Sequence, residues 1–193
     1  MEERRESLGD GGSSALYAVA GALLVVGLLV AFAWLPRVIR PHEAHQVGRD
    51  APDFRVPLVL NADALTAPPA LAPATVSIAE LKGKAILLDF WATWCGPCQA
   101  EAPIVDRVSV RFRDRGLVVI GVNTSDGEGL AAPWAKRHGL SYPIAFDDGH
   151  AAAAFGVENL PTLVVISKDG KVVGMRTGMT DGSEIERLVN QAL

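Results

Sequence analysis

The stretch Lys84-Ala-Ile-Leu-Leu-Asp-Phe-Trp-Ala-Thr-Trp-Cys-Gly-Pro-Cys98 decides how this chain folds. Its first part is an apolar run rich in branched and aromatic residues, which is typical of a buried central strand. Apolar residues then recur at helical spacing over residues 99–112, so a helix follows the second cysteine. The sequence therefore places Cys95 at the junction between a strand and the N-terminus of a helix.

Cys95 and Cys98 are the two cysteines of a chain of 193 residues. A disulfide that closes so short a loop removes little entropy from the unfolded chain, so it would stabilise the fold weakly. At a helix N-terminus the free N–H groups and the helix dipole favour an anion, which lowers the pKa of a thiol and supplies the thiolate that attacks disulfides. We predict a redox-active disulfide, with Cys95 as the nucleophile and Cys98 resolving the mixed disulfide.

A structural zinc site is the alternative explanation of the two cysteines, because a Cys-x-x-Cys pair is half of many such sites. The other half is missing from the sequence, which has no further cysteine and four scattered histidines. We therefore expect no metal ligands and no cofactor.

The segment WATWCGPCQAEAP at residues 91–103 resembles the active-site segment of thioredoxin-like proteins, and most of all that of the TlpA/ResA/CcmG branch. Residues 51–54, 159–166 and 168–173 are also similar to that branch. The resemblance covers about residue 48 to the end of the chain. It implies a thioredoxin fold, in which Pro161 is a cis-proline that faces the disulfide, and a thiol–disulfide oxidoreductase activity.

Apolar patterns along the rest of the chain predict an α/β fold, with a mixed central sheet and helices on both faces. Pro57 pushes the first strand to a sheet edge, and residues 61–75 form a loop. Ser77 caps a helical turn and faces Glu80, and residues 168–170 form a tight hairpin turn. The predicted strands are 54–60, 84–94, 117–122, 142–146, 162–166 and 172–176, and the predicted helices are 99–112, 129–138, 150–155 and 183–193.

Residues 15–35 carry no charge and would span about 30 Å as a helix, the thickness of a bilayer core. We predict a transmembrane anchor there, after a disordered segment 1–14 and before a linker 36–47 and a thioredoxin-like domain 48–193. A cleaved signal peptide is the alternative, since Ala31-Phe-Ala33 resembles a cleavage site. The apolar run is, however, longer than the usual signal-peptide core of about 7–15 residues.

The sequence gives two conflicting indications of the orientation of that anchor. Arg4 and Arg5 precede the apolar run while Arg37, Arg40 and Arg49 follow it, so the positive-inside rule does not support an outside carboxyl domain. The family resemblance implies a catalytic domain on the periplasmic side of the bacterial inner membrane, and we follow it. The formal net charge of −4 and the lack of a basic stripe predict no nucleic-acid partner.

Two carboxyl groups near the cysteines are candidate catalytic residues. Asp89 interrupts an apolar strand, where an unpaired carboxylate is costly and its pKa should rise. It matches the buried aspartate of thioredoxin, which implies that it takes the proton of Cys98; the alternatives are a pair with Lys84 or a side chain that faces solvent. Glu101 matches the active-site glutamate of the ResA-like branch, which implies tuning of the cysteine pKa and contact with the client. Its alternative is a solvated acid near a helix N-terminus.

Five residues are predicted to bind the client protein. Gly96 leaves the attacking sulfur accessible, Pro97 stiffens the first turn, and Trp94 offers an apolar surface next to the nucleophile. Pro161 has no N–H, which leaves the backbone of Leu160 free to pair with a client strand.

We predict a reductant of disulfides in exported proteins, because the same Gly-Pro dipeptide occurs in thioredoxin, whose potential near −270 mV is strongly reducing. The resemblance suggests apocytochrome c maturation, and a membrane thiol reductant must recharge the enzyme. One alternative is a Cu(I) metallochaperone that uses the dithiol, with further ligands from His42, His45, Met175 and Met179. Another is a peroxiredoxin-like peroxidase, which the sequence disfavours because Thr93-Trp-Cys95 is one residue short of Thr-x-x-Cys.

Overall fold

The computed structural model describes residues 11–38, 46–65 and 74–193, with side chains described from residue 16 to 31 in the first of these ranges. The chain divides into two units, Met1–Pro41 and His42–Leu193. The predicted disordered segment 1–14 and linker 36–47 fall largely outside the described residues, as do His42, His45 and residues 66–73 of the predicted loop.

The first unit contains one helix, α1 (Gly11–Val38), in its described part. This helix extends beyond residues 15–35 at both ends. Across the described residues, no helix combines the length and the apolar character that crossing a membrane requires.

The second unit contains, within the described residues, one sheet of seven strands in the order β2-β1-β5-β4-β3-β6-β7. The central strands β3, β4 and β5 are parallel, and the remaining pairings are antiparallel. The strands are β1 (Arg55–Leu60), β2 (Thr75–Ser77), β3 (Ala85–Trp91), β4 (Leu117–Asn123), β5 (Ile144–Phe146), β6 (Thr162–Ile166) and β7 (Val172–Thr177), and the helices are α2 (Gly96–Phe112), α3 (Ala131–Arg137), α4 (His150–Phe155) and α5 (Gly182–Ala192).

Helices cover both faces of this sheet, as the sequence predicts. Alternate residues of β3 point to opposite faces, so Leu87 and Trp91 pack with α2, α3 and α5 in one cluster while Leu88 and Phe90 pack with α4 in the other. Every residue of β3 is buried, which explains why the strand is apolar at every position except Asp89. Both cysteines belong to the first cluster, and the same alternation places Asp89 on that face.

The predicted edge position of β1 is wrong. β1 lies between β2 and β5, and β2 is a three-residue strand within the segment predicted as loop and turn. Pro57 is tolerated because pairing with β5 begins only at Leu58, so its missing N–H removes no ladder bond on that side. A strand as short as β2 shows too little periodicity to be predicted.

The two predicted turns, one at Ser77–Glu80 and one at residues 168–170, both form as expected. Ser77 N donates to Glu80 Oε2 at 3.0 Å, and Glu80 N donates to Ser77 Oγ at 3.4 Å, which makes a reciprocal capping box. In the β6–β7 hairpin, Ser167 N donates to Lys171 O at 2.8 Å, and Gly170 takes a φ of +86° that favours glycine.

Candidate active site

The two cysteines lie where β3 passes into α2, and they form a disulfide. Cys95 is the N-cap of α2, and its Sγ accepts a hydrogen bond from Cys98 N at 3.2 Å. Gly96 and Pro97 between them are exposed, whereas Cys95 and Cys98 are only 5% and 3% exposed. The disulfide is therefore largely buried and lies beside an exposed dipeptide.

The peptide bond between Leu160 and Pro161 is cis, as the resemblance implies. Thr162 pairs with Phe90 at the carboxyl end of β3, so Pro161 lies one residue beyond that pair, on the side of the disulfide loop. Pro161 is buried, and Leu160 is half-buried and packs against the apolar cluster that contains the cysteines.

Asp89 is a buried carboxyl group, with 4% of its surface exposed. Burial, followed by the negative charge of Glu101, raises the pKa of Asp89 to about 8, and a hydrogen bond from Tyr142 opposes the rise. Tyr142 Oη donates to Asp89 Oδ2 at 3.2 Å. Asp89 thus neither faces solvent nor relies on Lys84, which is exposed.

Glu101 is also buried, at 1% exposure, so the alternative of a solvated acid is wrong. Its Oε1 accepts a hydrogen bond from Thr180 N at 2.6 Å, while Oε2 has no hydrogen-bond partner among the described residues. Burial raises the pKa of Glu101 to about 7, against the hydrogen bonds from Thr180, which lower it. The structure therefore brings together two carboxyl groups that can each hold a proton near neutral pH.

Three contributors to this site escape sequence reasoning because distant segments supply them. Tyr142 precedes β5 and Thr180 follows β7, and no local pattern marks either residue. Asp126 follows β4 and accepts hydrogen bonds from the loop before Cys95. The polar sequence Asn123-Thr-Ser-Asp126 at the end of an apolar strand is the signal that could have revealed it.

The copper ligands suggested by the sequence are not assembled in the described part of the chain. Met175 is buried at 2% exposure and Met179 is exposed at 57%, while both linker histidines lie outside the described residues. The residues that the structure describes contain no group of three or more His, Cys, Asp or Glu side chains arranged to hold a metal ion.

A thioredoxin-like sheet, a disulfide at a helix N-terminus and a cis-proline beside it define a thiol–disulfide oxidoreductase. The chain belongs to the Redoxin family, whose model matches residues 46–191.

Known proteins of similar sequence and structure carry the same activity in their names. The chain is 29% identical over 165 residues to a thiol-disulfide oxidoreductase ResA of Bacillus thuringiensis, covering 85% of this chain and 88% of the relative. It is 28% identical over 176 residues to ResA of Bacillus subtilis, covering 91% and 92%. A crystal structure of a putative thiol:disulfide interchange protein DsbE from Chlorobium tepidum matches with a TM-score of 0.65 at 28% identity, covering 76% of this chain and 96% of that one.

Proposed function

We propose that this oxidoreductase reduces disulfides in exported proteins. The observation that carries the proposal is a Cys-Gly-Pro-Cys disulfide at the N-terminus of α2 on the same face of the sheet as Asp89, whose pKa of about 8 lets it exchange a proton near neutral pH. Such a group is suited to general acid–base catalysis of thiol–disulfide exchange.

The reaction begins with the reduced enzyme. The Cys95 thiolate attacks one sulfur of the client disulfide, the client S–S bond breaks, and the other client sulfur leaves as a thiolate. Asp89 then takes the proton of Cys98, whose thiolate attacks the Cys95 sulfur and releases the second client thiolate. Two electrons have passed to the client, and the enzyme is left as the disulfide that the structure contains.

Glu101 supports this step as a second proton store. Its negative charge raises the pKa of Asp89, so ionisation of one carboxyl group favours protonation of the other. A proton taken from Cys98 can therefore be held while the mixed disulfide resolves.

The client is bound by the exposed rim of the disulfide. Trp94 is 66% exposed, and Gly96 and Pro97 are also exposed, so an extended client segment can approach the disulfide over them. Because Pro161 has no N–H, the backbone of Leu160 is left to pair with that segment.

We further propose a membrane-attached enzyme with its catalytic domain on the periplasmic side of a bacterial inner membrane. The anchor is supported by the uncharged run 15–35, which is longer than the part of α1 whose side chains are described (residues 16–31), and the location is supported by the resemblance to the TlpA/ResA/CcmG branch. In that setting apocytochrome c is a suitable client, and a membrane thiol reductant upstream must return the disulfide to the dithiol. Reporter fusions at the two ends of the chain test this topology.

Trapping the client tests the exchange reaction. A Cys98→Ser variant keeps the nucleophile but cannot resolve, so it should accumulate mixed disulfides with clients in cells, and a Cys95→Ser/Cys98→Ser double variant should trap none. Oxidation of Cys95 to a sulfenic acid with no trapped protein would contradict the proposal.

Measuring the potential of the Cys95–Cys98 couple tests the direction of electron flow. A value below about −250 mV supports a reductant, whereas a value above about −150 mV would make the protein an oxidant of its clients.

A further inference from the structure

The loop that follows β4 is tied to the segment that precedes the disulfide. The last register pair between β3 and β4 joins Trp91 to Asn123. Beyond it, Thr124 N donates to Trp91 O at 2.9 Å, and Trp94 Nε1 donates to Ser125 O at 3.0 Å. Two loops that could move independently are therefore joined immediately before the nucleophile.

Asp126 makes the shortest of the bonds between these loops. Its Oδ2 accepts from Thr93 N at 2.6 Å and from Asn123 Nδ2 at 2.6 Å, and its Oδ1 accepts from Thr93 Oγ1 at 2.9 Å. All three donors are uncharged, and hydrogen bonds from such donors to a carboxylate are shorter and stronger than those between neutral groups. One half-buried side chain thus holds both the backbone and the side chain of Thr93.

The same loop fixes the exposed indole beside the nucleophile. Trp94 is 66% exposed, yet its N–H is bound by the carbonyl of Ser125. Ser125 has a φ of +60°, a conformation that is uncommon for residues other than glycine and that persists where the surroundings hold it. The neighbouring Asp126 supplies that restraint through Thr93 and Asn123.

We propose that Asp126 is a positioning residue for the client reaction, which acts by holding Thr93 and Ser125 so that the Trp94 indole is ordered before a client arrives. An ordered binding surface costs less conformational entropy on binding than a mobile one. This inference rests on the proposed function, because it concerns the binding of clients at that site.

Replacement of Asp126 by asparagine tests the proposal with the full chain. Asp126→Asn keeps an amide oxygen for Thr93 N and Asn123 Nδ2 but places an NH₂ group at Thr93 Oγ1, so this hydroxyl must change from donor to acceptor and all three bonds lose the strengthening that the carboxylate charge gives them. We expect the second-order rate constant for reduction of insulin disulfides to fall about fivefold. The rate with dithiobis(nitrobenzoate), a small disulfide with no chain to lie across Trp94, should be unchanged. Thr93→Val, which removes only the hydroxyl donor, should produce a smaller effect in the same direction.

Asp106→Asn is the matched control. Asp106 is also half-buried and accepts from the backbone N–H and the hydroxyl of one residue, Ser141, at 2.7 and 2.8 Å. The Asp106→Asn variant should leave unchanged both the rate of insulin reduction and the contribution of Trp94 to the near-ultraviolet circular dichroism. Asp126→Asn should weaken that contribution, which is measured as the difference from the corresponding Trp94→Phe variant.

The outcomes separate this proposal from the proposed function. If Asp126→Asn slows both disulfides equally, or lowers the insulin rate as much when Trp94→Phe is already present, the residue does not act through Trp94 and the proposal is overturned. The proposal is also overturned if Asp126→Asn and wild type reduce insulin equally well. A wild-type protein that does not reduce insulin at all would overturn the proposed function and this inference with it.

Discussion

At the scale of single residues, the ionisation of Asp89 links stability to pH. Its pKa is 3.8 in an unfolded chain and about 8 in the fold, so between these values the native state holds a proton that the unfolded state has lost. The native state then binds more protons, and the free energy of unfolding falls as the pH rises from about 4 to about 8. Burial of this carboxyl group therefore lowers the free energy of unfolding at neutral pH.

Asp89→Asn should therefore stabilise the protein at neutral and alkaline pH. We expect an increase in the free energy of unfolding of about 2–4 kcal/mol at pH 7, and convergence of variant and wild type below about pH 4. Denaturant unfolding of the variant and the wild type at a series of pH values measures this difference in the free energy of unfolding. A difference that does not change with pH would show that the buried charge is not its origin. The same variant should resolve mixed disulfides more slowly, because it removes the proton acceptor that we propose for Cys98.

Tyr142→Phe should shift the pH dependence of resolution. The Tyr142 hydroxyl donates to Asp89 and lowers the pKa of that carboxyl group, so its loss should raise this pKa further. Resolution of the mixed disulfide should then need a more alkaline pH, by up to about one unit. The pH profile of single-turnover release measures the shift. In an Asp89→Asn background the Tyr142 change should have no such effect, and a shift there would point to another group.

The candidate site can be predicted only where its chemistry is local in sequence. Asp89 stands out because a carboxylate interrupts an apolar strand, and Cys95 and Cys98 because of their spacing. Tyr142 and Thr180 reach these groups from segments 53 and 79 residues away. Their contacts depend on which strands become neighbours, and a single sequence does not contain that information in local form.

At the scale of elements, a glycine in β4 makes room for the contact between Asp89 and Tyr142. Gly121 pairs with Asp89 on one side and with Ile144 on the other. A methyl group at this position would lie 2.8 Å from the Tyr142 ring, 2.9 Å from Ile144 Cδ1 and 3.0 Å from Trp91 Nε1. The absence of a side chain at Gly121 thus allows the Tyr142 ring to lie against β4.

Gly121→Ala should consequently destabilise the fold by about 1–3 kcal/mol, because an overpacked core must displace its neighbours. It should also weaken the Tyr142–Asp89 hydrogen bond and so mimic the pH shift of Tyr142→Phe. Gly127→Ala is the control, since its new methyl group would meet Leu130 at an ordinary 3.5 Å. Denaturant midpoints measure both variants, and equal midpoints would contradict the packing argument.

The strands and helices are predictable where an apolar pattern is long enough to mark them. β3, β4 and β6 are apolar over most or all of their lengths and lie within a few residues of their predicted ends, and α4 has its predicted bounds. The proline of β1 suggests an edge position, and the three residues of β2 that cover this strand form no visible pattern. Neighbour relations between strands are set by the whole sheet rather than by local propensity.

At the scale of the whole molecule, the short segment before β1 joins the catalytic unit to whatever precedes it. Gly48 N donates to Val172 O at 2.8 Å, Val172 N donates to Arg49 O at 2.9 Å, and Ala51 N donates to Gly170 O at 2.8 Å. Residues 48–51 thereby extend the sheet beyond the β6–β7 hairpin, and the family match begins just before them, at residue 46. The boundary of the folding unit should lie ahead of these bonds.

Two truncations should reveal that boundary. A chain of residues 46–193 keeps all three backbone bonds, so its denaturant midpoint and its rate of insulin reduction should equal those of the full chain. A chain of residues 52–193 loses the bonds and the Lys171–Asp50 ion pair, and should be less stable by at least about 1 kcal/mol. The ion pair is exposed and contributes little to this difference, so Asp50→Ala in the longer chain should be nearly neutral. Equal stability of the two truncated chains would show that residues 48–51 contact the hairpin without stabilising the fold.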